Sequence, residues 1–216
     1  MSEGERPPPR APVQARLERV LEELIRRHAA EPELASAARK DYEARRGKVH
    51  QEDELWEAWS SAFVEWLVIE RRDEHGQVAA AASLRELEGE ERAIVAALLT
   101  SHRSLFEIRQ MGQGRVELLD LLGGGEFSVL EPRALVGVEL GDIAELRLCG
   151  IEGDVYFGRT FIYHPRAARA AIVEQASAML ARRASRAEVI DRIASLRVTL
   201  SRYRHVAAAR VYEKVT

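Results

Sequence analysis

Two glycine clusters, Gly112-Gln113-Gly114 and Gly123-Gly124-Gly125, are the places where this chain could cradle a phosphate. A dinucleotide loop needs a strand, spaced glycines and then a helix N-terminus, and a P-loop needs Gly-Lys-Ser/Thr. Here β-type runs follow both clusters and no Gly-Lys-Ser/Thr occurs, so both read as hairpin turns. The six histidines are His28, His50, His75, His102, His164 and His205, and no two stand at i,i+3 or i,i+4. Without that spacing, and without cysteine partners, no local metal site is encoded. Cys149 is the only cysteine, which excludes an intrachain disulfide and a Cys-rich zinc site. It falls in a β-type run, where a free thiol serves as a small core hydrophobe. Pairing it with His164 as a nucleophile would need the fold to bring the two together. No G-x-S-x-G elbow is present. Arg182-Arg183-Ala184-Ser185 has the form of a basophilic kinase site. Ser185 to Glu188, however, reads S-x-x-E before an apolar helix, which is a capping box. No catalytic residue, metal or cofactor follows from these patterns.

Charge is distributed unevenly. The net charge is −3, so no global field favours nucleic acid or a membrane surface. Residues 51–180 carry 12 basic and 23 acidic residues, whereas residues 181–216 carry 9 and 3. A basic tail beside an acidic middle either docks intramolecularly or meets an anionic partner, protein or nucleic acid. Of the 32 basic residues 29 are arginine, which a GC-rich genome gives without any mechanism. Those of the tail (Arg182, Arg183, Arg186, Arg192, Arg197, Arg202, Arg204 and Arg210) spread around the helix rather than lining one face, which weakens the case for nucleic acid. The N-terminus lacks the apolar core of a signal peptide, and no apolar run approaches the ~18 residues of a spanning helix. The chain therefore reads as cytoplasmic, with no membrane role, and as bacterial.

The elements that would position these residues switch in type along the chain. Residues 1–12, with four prolines, read as a disordered tail. Val13, Leu17, Val20, Leu21, Leu24 and Ile25 recur at helical spacing up to His28. Glu31-Pro32 starts a second helix that Gly47 ends. In a third, from 52 to 72, Trp56, Trp59, Phe63 and Trp66 form one stripe with Leu55, Ala62 and Ile69. A nucleic-acid stacking platform would use such aromatics. The same helix carries Glu52, Asp53, Glu54, Glu57, Glu65 and Glu70, which repel phosphates, so core packing is the expected role. Helices over 78–87 and 88–101 follow. From Ser104 to His164, five short β-type runs alternate with glycine turns, a pattern that suggests a small antiparallel barrel. Val136 and Val138 add a bridging piece, and Asp120 and Gly141-Asp142 fall in turns. Two helices, 166–183 and 186–210, close the chain. The second has a seam of Val189, Ile193, Leu196, Leu200, Tyr203 and Ala207 that is under three heptads long.

The stretch from Phe63 to Pro165 resembles a family of uncharacterised bacterial proteins, some of which end in a zinc-binding motif of the SecA C-terminal kind. The matching segments are F-V-E-W-L (63–67), H-G (75–76), L-E-G-E-E-R (87–92), S-H-R-S-L-F-E-I (101–108), D-L-L-G-G (120–124), L-G-D-I (140–143) and R-L (147–148). The resemblance brings no catalytic residues. Since this chain has no cysteine cluster, it brings no zinc either.

The fold expected is α+β. A helical N-terminal part (13–103) precedes a small antiparallel β-barrel-like module (104–164), and a C-terminal two-helix element (165–216) follows. The function expected is non-enzymatic: a regulator, adaptor or inhibitor that binds another protein. Ile193, Leu196, Leu200 and Tyr203 would be its apolar anchors, flanked by Arg182 and Arg183. The alternatives are nucleic-acid binding through the basic C-terminal helix, and a hydrolase-like enzyme whose site is assembled in space.

Overall fold

Apolar residues at helical spacing and β-runs between glycines fold as the two periodicities dictate. The computed structural model describes residues 12–29, 32–133, 135, 137–203 and 205–213. The proposed tail before Pro12, Glu31, Val136 and Arg204 lie outside the described residues. Five helices come first: α1 (Val13–His28), α2 (Pro32–Arg46), α3 (Trp56–Ile69), α4 (Ala79–Ser83) and α5 (Gly89–Leu99). Five strands follow: β1 (His102–Gly112), β2 (Arg115–Asp120), β3 (Glu126–Leu130), β4 (Ile143–Ile151) and β5 (Asp154–His164). A 3-10 turn (Arg166–Ala168) leads into α6 (Arg169–Ala181), α7 (Arg186–Arg202) and α8 (Ala208–Tyr212).

The strands close a barrel in the order β1-β2-β3-β5-β4. Four of the five ladders are antiparallel. The fifth corrects the wholly antiparallel expectation: β3 meets β5 in parallel, through the single pair Val129–Val155. Phe106, Ile108, Val116, Leu118, Val129, Leu146, Leu148 and Phe157 fill the lumen. β1 and β4 are buried on both faces, because helices coat the barrel's outer side. Cys149 faces that coat, packed with α1 and α5 rather than with the lumen. It stands at the far end of the β4–β5 ladder from His164, so the two form no pair.

The aromatic stripe of α3 is core. Tyr42 of α2 enters it, with ring centroids 5.8, 5.5 and 5.3 Å from Trp59, Phe63 and Trp66. The helix is shorter than expected at its start. Asp53 accepts the His50 N–H (2.8 Å) and closes a turn there instead. Helix α7 opens on the capping box read from sequence: Ser185 accepts the Glu188 N–H while Glu188 accepts the Ser185 N–H. The long last helix expected over 186–210 is two pieces. The chain leaves helical geometry at Tyr203 and re-enters it only after Ala207, so α8 folds back against α6 and the 3-10 turn.

Candidate functional site

Helix α7 is the hub of the C-terminal element, and its burial decides what the expected anchors do. Ile193 is 0% exposed and Leu196 4% exposed, packed with Ile172, Val189 and Tyr212 and with Leu105 of the barrel. They belong to the core and offer no anchor to a partner, which corrects the expectation for these two. Leu200 is partly buried against the same cluster. Tyr203 is 58% exposed and starts the break before α8. Arg182 and Arg183 are exposed in the α6–α7 turn, where Arg183 takes a positive φ of 66°. The basic tail also docks intramolecularly. Arg186 pairs with Asp120 (2.8 Å), and Arg197 pairs with Glu54 (3.0 Å).

A groove of about 470 Å³ lies between α6, the α6–α7 turn, α7 and α8. Its floor is apolar and small-residued: Ala171, Ala178 and Ala184, with Met179 and the Tyr212 ring. Alanines on α6 create it, since their short side chains leave the space between helices unfilled. Arg182 and Arg192 line it beside Glu174 and Glu213. Gln175 sits in the wall, only 8% exposed, and its side-chain oxygen has no hydrogen-bond partner. An unmet buried acceptor of this kind costs about 1–3 kcal/mol.

Of the sequence-derived residues, then, only Arg182 lines this groove. Gln175, Met179 and Tyr212 were not legible as a set, because they lie on two helices whose meeting depends on the break at Tyr203. Tyr212 itself is fixed from behind. Its hydroxyl lies 2.8 Å from Nδ1 of His164, and burial pushes that imidazole down to about 4.

On the opposite side of α7 lies a polar cluster. Asp120, at the end of β2, accepts from Ser104 Oγ (2.5 Å), Arg186 Nη1 (2.8 Å) and the Leu122 N–H (2.9 Å), and His102 Nε2 stands 2.9 Å away. Serine, histidine and aspartate are together here, but not as a relay. The serine hydroxyl donates to the carboxylate instead of to the imidazole, so nothing activates it as a nucleophile. A Cβ at Gly123 would stand 2.8 Å from Asp120 Oδ2, which is why the turn is glycine there. Among the described residues, no group of three or more His, Cys, Asp or Glu side chains is placed to hold a metal ion. Nor, among them, is any helix long and apolar enough to cross a membrane.

A family model matches residues 18–198, from the first turns of α1 through the barrel to the last turn of α7. The chain belongs to DUF7986, a family of unknown function. The DUF7986 match takes in the whole polar cluster and the α6 wall of the groove. Tyr212 and Glu213 of α8 lie past its end. No curated protein and no solved structure matches the chain.

Proposed function

We infer that this DUF7986 member is a cytoplasmic, non-enzymatic protein-binding regulator, adaptor or inhibitor, and that the α6–α7–α8 groove is where it takes its partner. The observation that carries the reading is the groove itself: a mostly apolar concavity of about 470 Å³ lined by small alanines, Met179 and the Tyr212 ring, with Arg182 beside it. Such a groove suits a segment of another protein that brings one or two bulky apolar side chains. Apolar contact then supplies affinity, and the charged side chains at the groove's edge fix register. Arg182 at the edge would meet a partner's acidic group, as the basic tail suggested.

The test is a paired capture from native lysate with wild-type protein and Ala178→Glu. Ala178 is exposed on α6, so the substitution fills the groove without touching the core. Circular dichroism of the two proteins should coincide. A discrete, nuclease-resistant protein bound by wild type and lost from Ala178→Glu is the expected result. The same proteins on both baits would refute the reading.

A further inference from the structure

Helix α3 meets β1, β4 and β5 around a small void of about 10 Å³. Ala62 and Glu65 of α3, Arg103 of β1, Glu145 and Arg147 of β4 and Thr160 of β5 line it. Side-chain exposure is only 4–11% for the four charged residues. Arg103 and Arg147 also line a cleft of about 270 Å³ that opens between the end of α3, the start of β1 and the first turn of α7. These two side chains therefore stand between the void and the cleft.

Opposite charges face each other here without bonding. Glu65 accepts from Thr160 Oγ1 (2.8 Å) through Oε1, and from the Arg159 N–H. Its Oε2 stands 3.6 Å from Arg147 Nε. Arg147 donates through Nη1 to Ser101 Oγ (2.8 Å) and through Nη2 to Glu70, while its buried Nε makes no hydrogen bond. Arg103 Nη1 likewise stands 3.5 Å from Glu145 Oε1. An N–H···O hydrogen bond needs about 2.7–3.2 Å, so both pairs attract across a gap that a bridging molecule would close. The charges and the size decide what can bridge it. Glu65 and Glu145 repel an anion, and Arg103 and Arg147 repel a cation. A space of about 10 Å³ takes one water and nothing larger. The bridging group must be neutral and must both give and accept hydrogen bonds.

We propose that this void is the binding site of a single structural water, which accepts the Arg147 Nε–H and donates to Glu65 Oε2, with its second hydrogen directed at Glu145. A water held by three polar partners is the usual way in which a buried donor of this kind is satisfied. Here it ties α3, through Glu65, to β4 of the barrel, through Arg147 and Glu145. It enters and leaves by way of the cleft, so its exchange requires Arg103 or Arg147 to swing aside.

A crystal structure of the full chain that shows ordered water tests this, together with rotating-frame NMR of the Arg147 Nε–H. Expected are a density peak within about 3.2 Å of both Arg147 Nε and Glu65 Oε2, and a dipolar cross-peak between that proton and water, opposite in sign to chemical exchange. Ala62→Val extends a side chain into the void and should abolish the cross-peak while leaving the circular dichroism unchanged. Should that variant fail to fold, the two wild-type measurements decide alone. A direct bond from Arg147 Nε to Glu65 with no density between them, the lack of a dipolar cross-peak, or one that persists in folded Ala62→Val would overturn the proposal.

Discussion

Removing the Arg46 guanidinium should be among the most damaging single changes in this protein. Arg46 ends α2 and is 0% exposed. It reaches Glu145 of β4 with two bonds (2.9 and 2.6 Å) and Asp191 of α7 at 3.3 Å. The Tyr42 and Trp59 rings lie 5.0 Å from it on either count. One side chain therefore ties α2, the barrel and α7 together. Burial alone would raise the Glu145 carboxyl; the guanidiniums of Arg46 and Arg103 outweigh it and hold that group below its usual range. In Arg46→Met, Glu145 keeps only Arg103, at 3.5 Å and without a hydrogen bond. Breaking a buried pair from one side costs about 3–5 kcal/mol, a large share of an ordinary stability of about 5–15 kcal/mol. At roughly 2–4 °C per kcal/mol for a chain of this size, the melting midpoint should fall by about 10 °C. The double variant Arg46→Met/Glu145→Met replaces the pair with apolar volume and should regain much of the loss. Urea unfolding at constant slope measures wild type, Arg46→Met, Glu145→Met and the double variant. A cost below about 1 kcal/mol for Arg46→Met, or strict additivity in the double variant, would refute the claim that the pair is mutually dependent.

Three further outcomes follow from burial. Leu196→Asp places a charge in the α7 core and should unfold the protein or cost more than about 4 kcal/mol, whereas a seam acting as a free interface would leave the melting curve unchanged. His164 binds its proton near pH 6.5 when unfolded, whereas burial lowers this to about 4 when folded. Its contribution is therefore fully present above pH 6.5 and is lost as pH falls toward 4, by up to about 3 kcal/mol. The stability difference between wild type and His164→Gln should narrow across that window, and a pH-independent difference would contradict the assignment. Burial pushes the Cys149 thiol up to about 12, so a maleimide should label it only upon unfolding, and rapid labelling of the native protein would show the helical coat to be open there.

Much of the fold was legible because its signals are local. The aromatic stripe of α3, the capping box at Ser185 and the glycine turns between strands each depend on residues a few positions apart. The parallel β3–β5 closure was not, since it rests on the one pair Val129–Val155, which local pattern does not encode. Alternation in β4 reads Ile143, Glu145, Arg147 on one face, as though half of it met water. The polar positions are instead buried beneath α2, α3 and α7, each facing an opposite charge from a distant segment. The seam of α7 had the right spacing for an interface, yet spacing alone does not say which neighbour fills it; α6 and α8 do. Gln175 gave no signal at all. A single glutamine in an alanine-rich helix acquires meaning only once α8 folds back and walls in the groove.

The measurement closest to the central claim is site-directed photo-crosslinking in living cells. A photoreactive residue at Met179 in the groove is compared with one at Glu74 in the exposed turn between α3 and α4. The account predicts one discrete adduct from position 179, absent from position 74 and abolished by Ala178→Glu. No adduct from 179, or the same adducts from both positions, would contradict the groove as a docking site.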